Sequence, residues 1–135
     1  MNRYCFEILT TAPYEAVVDT VKDAFKAEGF GTLTEIDVQA TLRDKIAHEM
    51  GPYTILGMCN PNMAAQAITL EPNIGLMLPC NVLIRQHEDG TSISAQDPEV
   101  FMRVVGNAAL TRLSNGVRAH VQKAMEHLRD RLPPA

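Results

Sequence analysis

What this chain lacks narrows its function classes before any motif is read. No stretch approaches the roughly 20 consecutive apolar residues of a transmembrane helix. There is no basic excess: 12 Lys and Arg stand against 16 Asp and Glu, a net charge of −4. A grip on nucleic acid needs a concentrated basic face to displace counterions, and adhesion to an anionic membrane needs the same sign of charge. Neither partner is expected. Cysteine is scarce too. The three present are an odd number with no close pairing, so they form no disulfide framework. Without a Cys-x-x-Cys pattern there is no thioredoxin-type centre. A phosphate-binding glycine loop is also missing, since Gly29-Phe30-Gly31 is explained by helix termination. Met1 to Thr10 alternates like a strand and lacks the basic-then-apolar layout of a signal peptide, which makes the cytoplasm the expected compartment.

What is present reads as one domain over residues 1–135, with no repeat, low-complexity segment or linker. An apolar share of 46% and a charged share of 21% are ordinary for a globular chain of this length. Tyr4, Phe6 and Ile8 alternate as a first strand. Pro13 opens a helix whose stripe is Tyr14, Val17, Val18, Val21, Ala24 and Phe25, ended by Gly29. Phe30 to Ile36 is a second strand with a bend or bulge. Asp37 caps a short helix with Val38, Leu42 and Ile46 on one face. Tyr53 to Met58 is the next strand, and Asn60-Pro61 starts a helix that Glu71-Pro72-Asn73 stops. Gly75 to Gln86 reads as a long strand, Asp89-Gly90 as a hairpin turn, and Thr91 to Gln96 as its return. Asp97-Pro98 opens a helix over Glu99 to Val105. After Gly106-Asn107 a final long helix carries Leu110, Leu113, Val117, Val121, Ala124 and Leu128. This order describes an α+β domain, a mainly antiparallel sheet with helices on one face. A partner or a polar surface must cover the other face, and dimerisation would do so.

The organising stretch runs from Tyr53 to Ile84, two apolar runs that each carry a Cys-Asn pair with proline alongside. Alternation along the long strand puts Leu76, Leu78, Cys80, Val82 and Ile84 on one face and Met77, Pro79, Asn81, Leu83 and Arg85 on the other. Cys80 is then a small buried hydrophobe, and Pro79 marks an edge or a bulge. Cys59 precedes a helix cap, where unpaired N–H groups and the helix dipole favour a thiolate. The same position also suits a core residue at a strand end, and the same helix start could hold an anion. Metal spacing is lacking, because Cys59 and Cys80 supply two ligands and no histidine stands at a matching interval. His120 and His127, beside Lys123 and Glu126, read as a solvated helix surface. His48 and His87 fall in turns. No base for nucleophilic catalysis is visible, Glu35 and Asp37 being read as a strand-end charge and a cap.

The run Glu28 to Val38, then Tyr53 to Gly57 through Cys59-Asn60-Pro61, then Leu78-Pro79-Cys80-Asn81-Val82, then Asp97-Pro98 resembles the bacterial and archaeal family called domain of unknown function 302. The resemblance spans the chain from about Tyr14 to the last helix. It implies a compact two-layer α+β domain of TATA-binding-protein-like topology, seen as a homodimer, with no established activity. It also marks Cys59, Asn60, Pro61, Pro79, Cys80 and Asn81 as a candidate site. The leading expectation is a homodimeric module that binds a small-molecule or anionic ligand or a protein partner at the Cys59-Asn60-Pro61 junction, with no cofactor or metal. The alternative is a thiol-dependent redox enzyme or sulfur carrier using Cys59, with Cys80 as resolving thiol or site wall.

Overall fold

A computed structural model describes residues 4–135, so the opening of the Met1 to Thr10 alternation, residues 1–3, lies outside the described residues. The first strand, β1, is Cys5–Thr10. Pro13 stands in extended backbone immediately before α1, Tyr14–Lys26. The stripe read from the sequence is the buried one, with Val17, Val21, Ala24 and Phe25 wholly out of solvent. Gly29, at φ +86°, is the left-handed residue that lets the Phe30 N–H turn back to the Phe25 carbonyl at 2.9 Å.

β2, Gly31–Asp37, carries the expected bulge between Thr32 and Thr34. Asp37 caps α2, Val38–Ile46, accepting from the Ala40 N–H at 2.9 Å. The α2 stripe differs from expectation: none of its residues is buried, and Ile46 is 70% exposed. β3 is Tyr53–Cys59. Asn60 then caps α3, Pro61–Leu70, its Oδ1 accepting from the Met63 N–H at 3.3 Å.

The segment from Gly75 to Gln86 is not a single strand. Pro72–Met77 is a 3-10 turn, and β4 runs Cys80–His87. The Ile74 N–H bonds the Glu71 carbonyl at 2.9 Å and the Leu78 N–H bonds the Gly75 carbonyl at 3.3 Å. Pro79 has no N–H to give a ladder, so pairing begins one residue later. Leu76 is therefore exposed, while Cys80, Val82 and Ile84 keep the buried row. The hairpin also differs in detail, because His87 faces Gly90 and the turn is Glu88-Asp89. Gly90 opens β5, Gly90–Gln96, where it answers to a close approach by β1: a Cβ there would strike the Thr10 carbonyl group, whose carbon is 3.1 Å away. Asp97 and Asn107 cap the last two helices, α4 (Pro98–Arg103) and α5 (Ala108–Arg131).

The sheet order is β1-β5-β4-β3-β2, with every neighbouring pair antiparallel. Leu56, Val82, Ile84 and Ile93 from the strands meet Val17, Phe25, Val121 and Leu128 from α1 and α5 in the main core. Each such side chain contributes about 1.5–3 kcal/mol when fully buried. The architecture is α+β, an antiparallel sheet with helices on one face. A satellite core of Ala67, Ile74, Met102 and Leu110 gathers α3, the 3-10 turn, α4 and the start of α5. Among the described residues no helix is long and apolar enough to cross a membrane.

Candidate functional site

Where the two cores meet they leave a cavity of about 350 Å³. The sheet's connectivity puts it there. β3 and β5 end, and β4 begins, at this end of the sheet, so Met58, Cys59, Cys80 and Gln96 reach the same space from three adjacent strands. Phe30 enters from the loop after α1, and Ala67, Met102 and Leu110 enter from the satellite core.

Cys59, Asn60, Pro79 and Cys80 all line this cavity. Pro61 and Asn81 do not. Pro61 is the exposed first residue of α3. Asn81 follows Cys80 on a strand, where successive side chains take opposite faces. It lines a second hollow of about 280 Å³ on the opposite face of the sheet, with Tyr53, Leu83 and Arg85 and with Phe101 from α4. Arg85 approaches Glu7 there at 3.8 Å, and Ser92 donates to Glu7 at 3.1 Å.

The main cavity is apolar and uncharged: among the described residues no Asp, Glu, Lys, Arg or His side chain lines it. Its polar oxygens are engaged, while the side-chain amide N–H groups of Asn60 and Gln96 make no hydrogen bond among the described residues. Gln96 Oε1 accepts from the Asn81 N–H at 3.0 Å, Ser114 donates to the Thr111 carbonyl at 2.7 Å, and Asn60 Oδ1 is held by the α3 cap. Cys59 is half-buried and Cys80 buried. Burial, with a smaller contribution from the Asp97 charge, pushes the Cys80 thiol up to about 12, so this wall is a neutral thiol at ordinary pH.

Asp97 braces the cavity from behind. It is buried, accepts from the Glu99 N–H at 3.1 Å, and meets Arg118 Nε at 3.1 Å. The Arg118 guanidinium in turn lies 5.4 Å from the Phe6 ring centroid. These bonds tie α4 and α5 to the end of β5, which sets Met102 and Leu113 against the cavity.

Sequence reasoning missed the methionines. Met58, Met63, Met77 and Met102 all line the cavity, and the available signal was only that four of the chain's seven methionines fall between positions 58 and 102. It also misread two histidines. His120 and His127 are not merely solvated: His120 Nδ1 lies 3.1 Å from Glu28 Oε1, and His127 Nε2 lies 3.2 Å from Glu28 Oε2. Hydrogen bonding from His120 first, then from His127, holds the Glu28 carboxyl below its ordinary value against the opposing effect of burial. The two rings take separate oxygens. Among the described residues no three His, Cys, Asp or Glu side chains are placed to hold a metal ion.

A family model described as "Domain of unknown function DUF302" matches residues 6–128. A solved structure described as an uncharacterised conserved protein DUF302 from Bacillus stearothermophilus is similar with a TM-score of 0.86 at 21% identity. The match covers 93% of this chain and 98% of that one. At that identity it shows the fold alone. No curated protein matches this chain.

Proposed function

Because the chain belongs to the DUF302 family, whose description carries no activity, we propose a function from the geometry: a binding module that takes a small, neutral, apolar molecule into the cavity between its two cores. The observation that carries this reading is an uncharged cavity of about 350 Å³ beside the Cys59-Asn60 junction. Small-molecule sites run from roughly 300 to 1,000 Å³ and are lined mainly by apolar side chains. A peptide segment would need a longer groove. An ion would enter without a countercharge, which costs far more than the cavity can return. The lining thus favours a neutral ligand over an anionic one.

A thermal-shift screen tests the proposal. A ligand at a hundred-fold excess over its Kd adds about 2.7 kcal/mol to stability. Neutral apolar compounds are expected to raise Tm, and inorganic phosphate and acetate are not. If only the anions stabilise, or if no apolar compound does, the reading fails. The rival thiol chemistry would rest on Cys59, with Cys80 as wall rather than resolving thiolate, and it draws less support because no Lys, Arg or His among the described residues lines the cavity beside Cys59.

We further propose that the module works as a homodimer in the cytoplasm, where free thiols persist. Ile36, Ile55, Leu83, Ser94 and Glu7 form one outward row across all five strands, on the face that α1 and α5 leave open. Ile36 is 46% exposed in the single chain. Leu83→Asp is expected to convert a dimer to a folded monomer in sedimentation. A wild-type monomer at high concentration would refute the pairing.

A further inference from the structure

The composition of the cavity wall indicates the class of its occupant. Met58 comes from β3, Met63 from α3, Met77 from the 3-10 turn and Met102 from α4; the Met58 sulfur already accepts from the Thr32 hydroxyl at 3.4 Å, which leaves three separate elements each contributing one thioether to the space. Cys59 and Cys80 add two thiols, and the one aromatic ring in the lining is Phe30. Apolarity alone does not require this. Leucine fills nearly the same volume as methionine, and such exchanges usually cost little. A thioether adds an unbranched, adaptable shape and a polarisable sulfur that makes favourable contacts at the edges of aromatic rings.

A flat ring in this space would present its rim to several walls at once. Phe30 would add a ring contact, and among the described residues no lining charge is present to recruit or repel an ion. We infer that the ligand is a neutral aromatic compound, held at its ring edges by the thioethers of Met63, Met77 and Met102. The inference rests on the preceding reading that this cavity binds a small apolar molecule, and it adds the chemical class. A saturated molecule of the same skeleton would fill the volume without gaining the sulfur–ring contacts, each of which changes affinity by about two- to ten-fold.

The test is calorimetric titration of the full chain with 2-naphthol and with decahydro-2-naphthol, the two affinities corrected for their water–octanol partition. The wild type is expected to favour 2-naphthol by about ten-fold or more. Met63→Leu with Met77→Leu, both half-buried positions, is expected to shrink that preference, read as the ratio of the two affinities, several-fold. Met63→Leu with Met102→Leu provides a second pair should the first not fold. Equal corrected affinities in the wild type, or a preference that survives in the leucine variants, would overturn the aromatic assignment and leave the cavity reading standing. Binding of neither compound would overturn the cavity reading and this inference with it.

Discussion

Ala67→Leu probes the cavity without touching any group of chemical interest. Ala67 is buried on α3, lines the cavity, and packs in the satellite core with Ile74, Met102 and Leu110. Leucine adds three carbons at this point. Burying each is worth about 0.8 kcal/mol, and ordering the longer side chain costs about 0.5–1 kcal/mol. If the added atoms enter free space, the balance is a gain of about 1.5 kcal/mol. For a chain of 135 residues that corresponds to a rise in Tm of about 5 °C. Urea unfolding followed by circular dichroism gives the same quantity as a midpoint shift at unchanged m. A loss of about 1–3 kcal/mol, the usual cost of overpacking, would show that these walls are in contact and would refute the reasoning.

Other consequences follow from particular contacts. A Cβ on Gly57 would sit against the Thr34 hydroxyl and 2.8 Å from Pro79 Cγ, so Gly57→Ala is expected to lower stability by about 1–3 kcal/mol. Adding Thr34→Ala should restore part of that loss in denaturant titration. Between about pH 9 and about 12 the folded chain keeps the Cys80 proton that the unfolded chain releases. The contribution of this thiol is therefore complete below about pH 9 and falls by about 1.4 kcal/mol per pH unit above it. Cys5, Tyr14 and Lys22 are also shifted up and act in both proteins, so the stability of wild type minus that of Cys80→Ala should fall with that slope on alkaline titration, and a constant difference would refute it. At the acid end, Glu28 titrates below its unfolded value, so its contribution is present above the ordinary carboxylate range and lost as pH falls through the lowered one. The Tm difference between wild type and Glu28→Gln should narrow on acidification, and a constant difference would rule out the clamp by His120 and His127.

What could be read from the sequence was what neighbouring residues decide. The α1 stripe, the caps at Asp37, Asn60 and Asp97, and the bulge in β2 depend on spacing and on backbone groups a few residues away. The stretch from Gly75 to Pro79 was misread because alternating apolar residues suit a strand and a 3-10 turn equally. A proline that denies the ladder its donor settled the outcome. The site was half legible for a related reason. Cys59 and Cys80 stood out by their asparagine and proline neighbours, and both line the cavity. Asn81 was assigned to the same site, but a strand turns adjacent side chains to opposite faces. The methionine walls come from elements far apart in the chain, and Glu28 meets His127 across 99 positions. No local pattern encodes such meetings.

The most direct test is fluorescence titration of the full chain with N-phenyl-1-naphthylamine, a neutral apolar probe that brightens out of water, with Ala67→Leu run alongside. The account predicts saturable binding of one probe per chain in the wild type and strong weakening in the variant. Absence of saturable binding, or equal binding by the two proteins, would contradict it.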